Sequence, residues 1–342
     1  MPVIELSKKD QQKYDHFVAQ HPFGTIHQVW DWGLFQSKSG TRDQFWVFAL
    51  EDERGSIQAS ALVIRQKMPF NKCWLYCPRG PLVDYSNLHQ AQEQAAKLFE
   101  AIKKLASEQN AVFVRFDPGL IETTFRLPSA RLAHAQYQPQ HTLVIDLKPS
   151  KEAILAQMKT KGRYNIKIAQ KHHIKVRESH GENLNQDLKT FYQLFQTTTA
   201  RDNFSGHPLS YYENMLTILG PQKVKLYLAE YEGKALAGAI VTHFQDTSTY
   251  YFGASSNEHR NLKAAELIQW HAMLEAKNEG LLKYDLLGIA PENEPKHPWA
   301  GVTQFKVKFG GENINYQPAQ EIVYQPLWYA IIRAAKQLKK LI

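Results

Sequence analysis

The feature that most restricts this chain is one structural plan written twice. In the first half, residues 45–50 alternate in the manner of a strand, a polar turn occupies 51–55, and 57–65 returns as a second strand. Together they read as a hairpin. A third strand at 72–77 ends at the turn Pro78-Arg79-Gly80-Pro81, and a long helix at 88–108 leads to a fourth strand at 111–116, stopped by Asp117 and Pro118. In the second half, 224–230 turns at Glu232, Gly233 and Lys234 into 236–243, and the series repeats as a strand at 249–252, a helix at 262–278 and a strand at 282–287. A crossover of this kind normally makes a parallel pair. The simplest account is two copies of one mixed α/β domain, each with a meander, a crossover helix and a further strand.

Length agrees, since 342 residues exceed the usual size of one core. A hydrophobic content of 43% and a charged content of 22% belong to an ordinary soluble globular protein. No apolar run approaches the roughly 20 residues that span a bilayer, and the N-terminus lacks the apolar stretch of a signal peptide, so the expected compartment is the cytoplasm. Cys73 and Cys77 fall on one face of a strand, but no second ligand pair accompanies them, which predicts reduced, partly buried thiols rather than zinc.

Outside the repeats, 8–19 carries Tyr14, Phe17 and Val18 at helical spacing, 28–38 reads as a short Trp-rich helix, and 141–147 as a strand. Ser150 caps a helix beginning at Lys151. The net charge of +8 points to a polyanionic partner such as RNA, a nucleotide diphosphate or an anionic membrane surface, or to a solvated basic surface. The basic stretch 159–171 has the same two readings: a solvated helix face, or contact with RNA phosphates. At the C-terminus, 326–342 forms an amphipathic helix with Trp328, Tyr329, Ile332, Ala335 and Leu338 against Arg333, Lys336, Lys339 and Lys340. It is expected to pack on the first domain, with contact to anionic lipid headgroups as the alternative. After the strand at 282–287, a Pro- and Glu-rich loop delivers Phe305 and Lys306, a cation beside aromatics where acyl or phosphate chemistry can be handled.

Several phrases together resemble the Fem family (FemABX), the aminoacyl-tRNA-dependent peptidyltransferases that build interpeptide bridges or branches in peptidoglycan. They are Gly24 to Gln28 with Trp32, Val114 to Pro118, the stretch 159–171, Tyr251 to Asn261, Tyr284 to Ile289, and His297 to Lys306 ending in Phe309-Gly310-Gly311. The likeness covers nearly the whole chain. It implies two tandem domains of the acetyltransferase-like (GNAT, acyl-CoA N-acyltransferase) fold, one over 1–143 completed by 318–342 and the other over 144–317. Some members insert a long antiparallel helical arm; only 151–171 stands at that place here, so the chain resembles the compact kind without a coiled-coil arm. The implied partners are aminoacyl-tRNA and a lipid-linked or UDP-linked muropeptide, with peripheral contact at the inner membrane surface, and the expected cofactor is none beyond the tRNA.

The same chemistry follows from the residues. Transfer from an aminoacyl ester to an amine needs a neutral nucleophile, a place for the developing oxyanion, and a hold on the tRNA acceptor end. Lys306 supplies a cation for the oxyanion, and such help is worth ~3 kcal/mol. Phe305 offers a face on which a terminal base stacks; the resemblance associates this pair with the aminoacyl end. Compact members grip the acceptor's diphosphate with a lysine and an arginine where this chain carries Gln36 and His207, with Lys38 and Arg201 near by. That departure shifts the expectation toward a lipid-linked or otherwise different precursor. Asp117, Tyr211 and Tyr250 match positions at or near the acceptor groove, and Arg260 opens the turn before the second crossover helix.

Two other classes remain as alternatives. An acyl-CoA-dependent N-acyltransferase cradles pyrophosphate on a glycine-rich turn opening the central helix, but Lys263 replaces the glycine in Arg260-Asn261-Leu262-Lys263. A non-enzymatic RNA-binding protein would alternate aromatics with Lys and Arg, a pattern absent here.

Overall fold

A computed structural model of the chain describes residues 1–121 and 125–341, with side chains to residue 335. The chain divides into two compact units, Met1–Gln140 with Tyr316–Ile342, and His141–Asn315. The first opens with β1 (Val3–Glu5), α1 (Gln11–Gln20) and α2 (Trp30–Ser37). It continues through β2 (Arg42–Glu51), β3 (Ile57–Met68), β4 (Lys72–Cys77), α3 (Leu88–Glu108), β5 (Ala111–Phe116) and β6 (Arg131–Leu132).

The second unit holds β7 (His141–Asp146), α4 (Lys151–Gln157), α5 (Thr160–Lys171), β8 (Lys175–Ser179), α6 (Leu184–Asp202) and α7 (Leu209–Leu219). Then come β9 (Val224–Tyr231), β10 (Lys234–Phe244), β11 (Thr247–Ser255), α8 (Ala264–Asn278), β12 (Lys283–Gly288), α9 (Ala300–Lys306) and β13 (Glu312–Asn315). The chain returns to the first unit with β14 (Gln320–Val323) and α10 (Pro326–Leu341).

Each unit carries one seven-stranded sheet, in the orders β1-β2-β3-β4-β5-β14-β6 and β13-β7-β12-β11-β10-β9-β8. The meander β2-β3-β4 is antiparallel and β4 pairs parallel with β5 across α3; β9-β10-β11, α8 and β12 repeat that arrangement. In both, the parallel pair is flanked by an antiparallel strand from outside the repeat, β14 beside β5 and β7 beside β12. A boundary at residue 144 would cut through β7, which lies wholly in the second unit.

The crossover helices form for local reasons. Asn87 caps α3 by accepting from His89 N and Gln90 N, and Ala91, Ala95, Leu98, Phe99, Ile102 and Leu105 bury one stripe against the sheet. The α8 helix begins at Ala264, two residues later than periodicity suggests, because Leu262 closes a separate 3-10 turn and Lys263 is left-handed. Gly280, with φ 83°, terminates it. Cys73 and Cys77 are fully buried in the α3-side core rather than partly so; burial pushes the Cys73 thiol up to about 11.

Residues 151–171 are two helices, not one. The backbone turns extended at Met158 and Lys159, where Lys159 N donates to Lys308 O at 3.0 Å. In α10, Trp328, Tyr329 and Ile332 pack beside Trp74 and Phe113, while Leu327 and Ile331 are exposed; the expected roles of Lys336, Leu338, Lys339 and Lys340 lie outside the described residues. Among the described residues no helix is long and apolar enough to cross a membrane.

Candidate active site

In the second unit, β11 and β12 are paired only from Thr247↔Lys283 to Thr249↔Asp285. Beyond that point β11 stays with β10, and β12 bulges against β7 between Asp285 and Gly288. Leu287, inside the bulge, has φ 61°, a region costly for leucine. Asp285 Oδ1 holds it there by accepting from Leu287 N at 2.7 Å.

The carbonyl at the end of this irregularity, that of Gly288, accepts from Lys306 Nζ at 2.6 Å. Lys306 ends α9, so the loop expected to deliver Phe305 and Lys306 is helical at its end. The helix is pinned to the strand end by Thr303, whose Oγ1 accepts from Ala290 N at 2.7 Å and donates to Trp299 O at 2.8 Å. Lys306 is only 6% exposed. Burial lowers its ammonium from 10.5 to about 8, with the Asp285 carboxylate pulling the other way.

The residues after Lys306 explain why the motif has its spacing. Phe309 is fully buried in the core of this unit. Gly310 and Gly311 adopt φ 78° and 94°, and a Cβ on them would lie 2.8 Å from Gln157 O and 2.6 Å from Val144 O. Only glycine fits both the angle and the space. Phe305 is half-buried, edge-on to Phe309 at 5.4 Å, and the Lys308 ammonium lies 5.3 Å from its centroid. The ring expected to offer an open face thus already carries a cation. Lys308 also pairs with the buried Glu266 at 2.8 Å, and Glu266 accepts from Asn165 of α5 at 2.8 Å.

His207 and Tyr211 form a second group. Their rings stack at 3.9 Å and 15°, and Phe252 of β11 stands edge-on to both. Tyr250 lies just where the β11–β12 ladder stops; its hydroxyl sits over Gly253, where a Cβ would be 1.5 Å from it. Arg201 is tied to Ser255 O at 3.2 Å and Asn257 Oδ1 at 3.1 Å. Arg260 is exposed in the turn before α8, and among the described residues no ion pair or hydrogen bond joins it to either group.

In the first unit, Asp117 follows β5 and is buried. Its carboxylate accepts from Tyr76 OH at 2.7 Å, Arg79 N at 2.6 Å and Gln138 N at 3.4 Å. Burial raises its pKa, and the Arg79 charge and these donors oppose that rise. Arg79 is left-handed at φ 49°, donates to Pro139 O at 2.8 Å and lies 4.0 Å from the Tyr316 ring centroid. Gln28, from the Gly24 to Gln28 phrase, fastens this turn by accepting from Leu62 N at 3.0 Å and donating to Pro78 O at 2.7 Å. Gln36 is buried at the end of α2 with its amide oxygen accepting from Arg42, and Lys38, which caps the helix, is exposed. Asp285 and Gly288 beside Lys306 stood in the sequence within the Tyr284 to Ile289 phrase, without a role, and Glu266, which pairs with Lys308, and Tyr76 and Arg79 around Asp117 were given none. Besides that phrase, only the Pro-Arg-Gly-Pro turn and the strand-end aspartates signalled any of them.

A model of the FemAB family matches residues 10–136, 129–235 and 230–337. The chain belongs to the FemAB family. It is 24% identical, over 86% of its length and 88% of the relative's, to a UDP-N-acetylmuramoylpentapeptide-lysine N(6)-alanyltransferase of Weissella viridescens. It is 23% identical to a lipid II:glycine glycyltransferase of Staphylococcus saprophyticus, over 87% of this chain and 88% of that one. Both relatives are aminoacyltransferases by name, and this FemAB member is an enzyme of that class. Among solved structures, FemX superposes with a TM-score of 0.84 at 21% identity, covering 97% of this chain and all of that one. A tandem GNAT protein from the clavulanic acid biosynthesis pathway follows at 0.55 and 11%, over 94% of this chain and 97% of that one. The two repeats are tandem GNAT-like domains, and this FemAB chain is of the compact kind.

Proposed function

We propose that the protein transfers an amino acid from aminoacyl-tRNA to the stem-peptide amine of a peptidoglycan precursor, building the first or a later residue of an interpeptide bridge or branch. The precursor is the lipid-linked or UDP-linked muropeptide, met in the cytoplasm or at the inner face of the membrane, and no cofactor beyond the charged tRNA is required. The observation that carries this proposal is the buried Lys306 in the Phe305-Lys306 motif, held at 2.6 Å on the Gly288 carbonyl. An ammonium has three N–H donors, so one bond to Gly288 fixes the group while others point at a reacting oxygen.

In the reaction, the acceptor amine attacks the ester carbonyl, a C–N bond forms, and charge collects on the carbonyl oxygen beside Lys306. The ester C–O bond then breaks, and the ribose oxygen leaves with the proton the amine gives up. Desolvation strengthens the ammonium's pull on that oxyanion. An ester is activated already, so Asp117 is not needed as an obligatory base. The substitutions at Gln36 and His207 favour an acceptor gripped otherwise than by a diphosphate clamp.

The test is incubation with a pool of charged tRNAs and both precursor forms, followed by mass spectrometry of the muropeptide. Lys306→Ala is expected to abolish the mass increase of one aminoacyl residue while the fold persists. Full activity in that variant removes Lys306 from the mechanism, and thermal stabilisation by acetyl-CoA alone favours an acyl-CoA-dependent N-acyltransferase instead.

A further inference from the structure

Between Glu152 and Glu178 the chain has no acidic residue, yet it carries Lys159, Lys161, Arg163, Lys167, Lys171, Lys175 and Arg177. Two of these cations have structural duties. Arg163 donates to Met158 O and to Thr160 Oγ1, fastening the break between α4 and α5, and Arg177 is paired with Asp187 and Glu230. On α5, Lys161, Lys167 and Lys171 are exposed and in no ion pair among the described residues. Tyr164 stands among them with 63% of its surface in solvent. Spacings of three and four put these four side chains on one stripe, about 15 Å long at the helical rise.

The opposite face of α5 is the backing of the Lys306 segment. Gly162, Asn165, Ile166 and Ala169 are buried there. A Cβ on Gly162 would lie 2.4 Å from Lys308 O, Lys159 N donates to that same oxygen, and Asn165 reaches the Glu266 that pairs with Lys308. One helix therefore supports the Phe305-Lys306 segment with its inner face and turns an unpaired cationic stripe outward.

We infer that the outer face of α5 is a docking strip for the sugar-phosphate backbone of the donor tRNA next to its aminoacylated end, with Lys161, Lys167 and Lys171 on phosphates and the Tyr164 ring against an unpaired base. This rests on the transfer reaction proposed above. Clustered lysines release counterions when they meet phosphates, and an exposed aromatic among them is a stacking platform for single-stranded nucleotides. A bilayer is the poorer fit. Membrane-surface helices oppose their cations with Trp, Phe or Leu, and on α5 the only exposed large apolar side chain is Tyr164.

The experiment measures uncharged tRNA binding by fluorescence anisotropy across a salt series, for the full chain and for the triple variant Lys161→Gln, Lys167→Gln, Lys171→Gln. Kd is expected to rise on the order of 10-fold at about 0.1 M salt, and the slope of log Kd against log salt to fall by roughly 2 to 3. Tyr164→Leu is expected to raise Kd several-fold with the slope unchanged, and circular dichroism melts of all variants to match the parent. In steady state, the triple variant raises KM for charged tRNA far more than it lowers kcat, and the effect disappears when the donor is an aminoacylated nucleotide without a stem. An unchanged Kd and slope overturns the inference. So does a triple variant that keeps its tRNA affinity and loses binding to anionic phosphatidylglycerol vesicles. A parent protein that binds tRNA through this strip but transfers nothing sinks the transferase proposal alone, and one that transfers normally with the strip neutralised sinks only this inference.

Discussion

At the scale of single residues, the molecule buries charge where an apolar side chain would be more comfortable. Lys306 has a folded-state pKa of about 8 against an ordinary 10.5, so between these values the unfolded chain binds more protons than the folded one, and stability rises with pH across that window. Below pH 8 the full burial cost is present. It amounts to about 3 kcal/mol, less about 1 kcal/mol for the hydrogen bond to Gly288. Lys306→Met is therefore expected to be more stable than the parent by about 2 kcal/mol at pH 7, with the gap closing above pH 10, while transfer activity disappears. Urea denaturation at several pH values measures this; a variant less stable at pH 7 shows that the ammonium is a net stabiliser. The parent's own rate is expected to fall as pH rises through about 8, where the ammonium deprotonates.

At the scale of elements, what could be read in advance followed local periodicity. The crossover helix α3 runs over the 88–108 that spacing predicts, and the two hairpins and the parallel pairs stand where they were expected. β1, β8, β13 and β14 were missed because they are short strands whose partners lie far along the chain; α6 and α7 carry a diffuse mixture of aromatic and polar residues. The site was legible in its residue types but not in its contacts. Phe305 and Lys306 stood out, whereas the Gly288 carbonyl and the Lys308–Glu266 pair that fix them belong to other elements. The α5 packing shows how tightly such fixing is drawn. Gly162→Ala puts a methyl 2.4 Å from Lys308 O, so despite the better helix propensity of alanine a net loss of about 1 to 2 kcal/mol and a reduced kcat are expected. Gly301→Ala in α9, with nothing within 4 Å of the new methyl, is expected to gain about 0.5 to 1 kcal/mol. Denaturant melts of the two variants should move in opposite directions.

At the scale of the whole molecule, the first unit is completed by a strand that follows the second in sequence. Arg115 is fully buried on β5, and its Nε donates to Glu321 of β14 at 2.9 Å, with Tyr329 of α10 donating to the same carboxylate. Glu321→Gln is expected to destabilise the first unit by about 3 kcal/mol. Hydrogen exchange should then show β2–β5 losing protection while β9–β12 keep theirs; equal loss in both would mean that the units unfold as one. The position of β14 also sets a timetable for the ribosome. Domains usually fold in the order in which they emerge, yet here the 141–315 block is synthesised whole while the earlier half still waits for its closing strand. During that interval the bare edge of β5 is open to any other extended segment, so a nascent FemAB chain is most exposed to mispairing late in its synthesis, in the half that was made first.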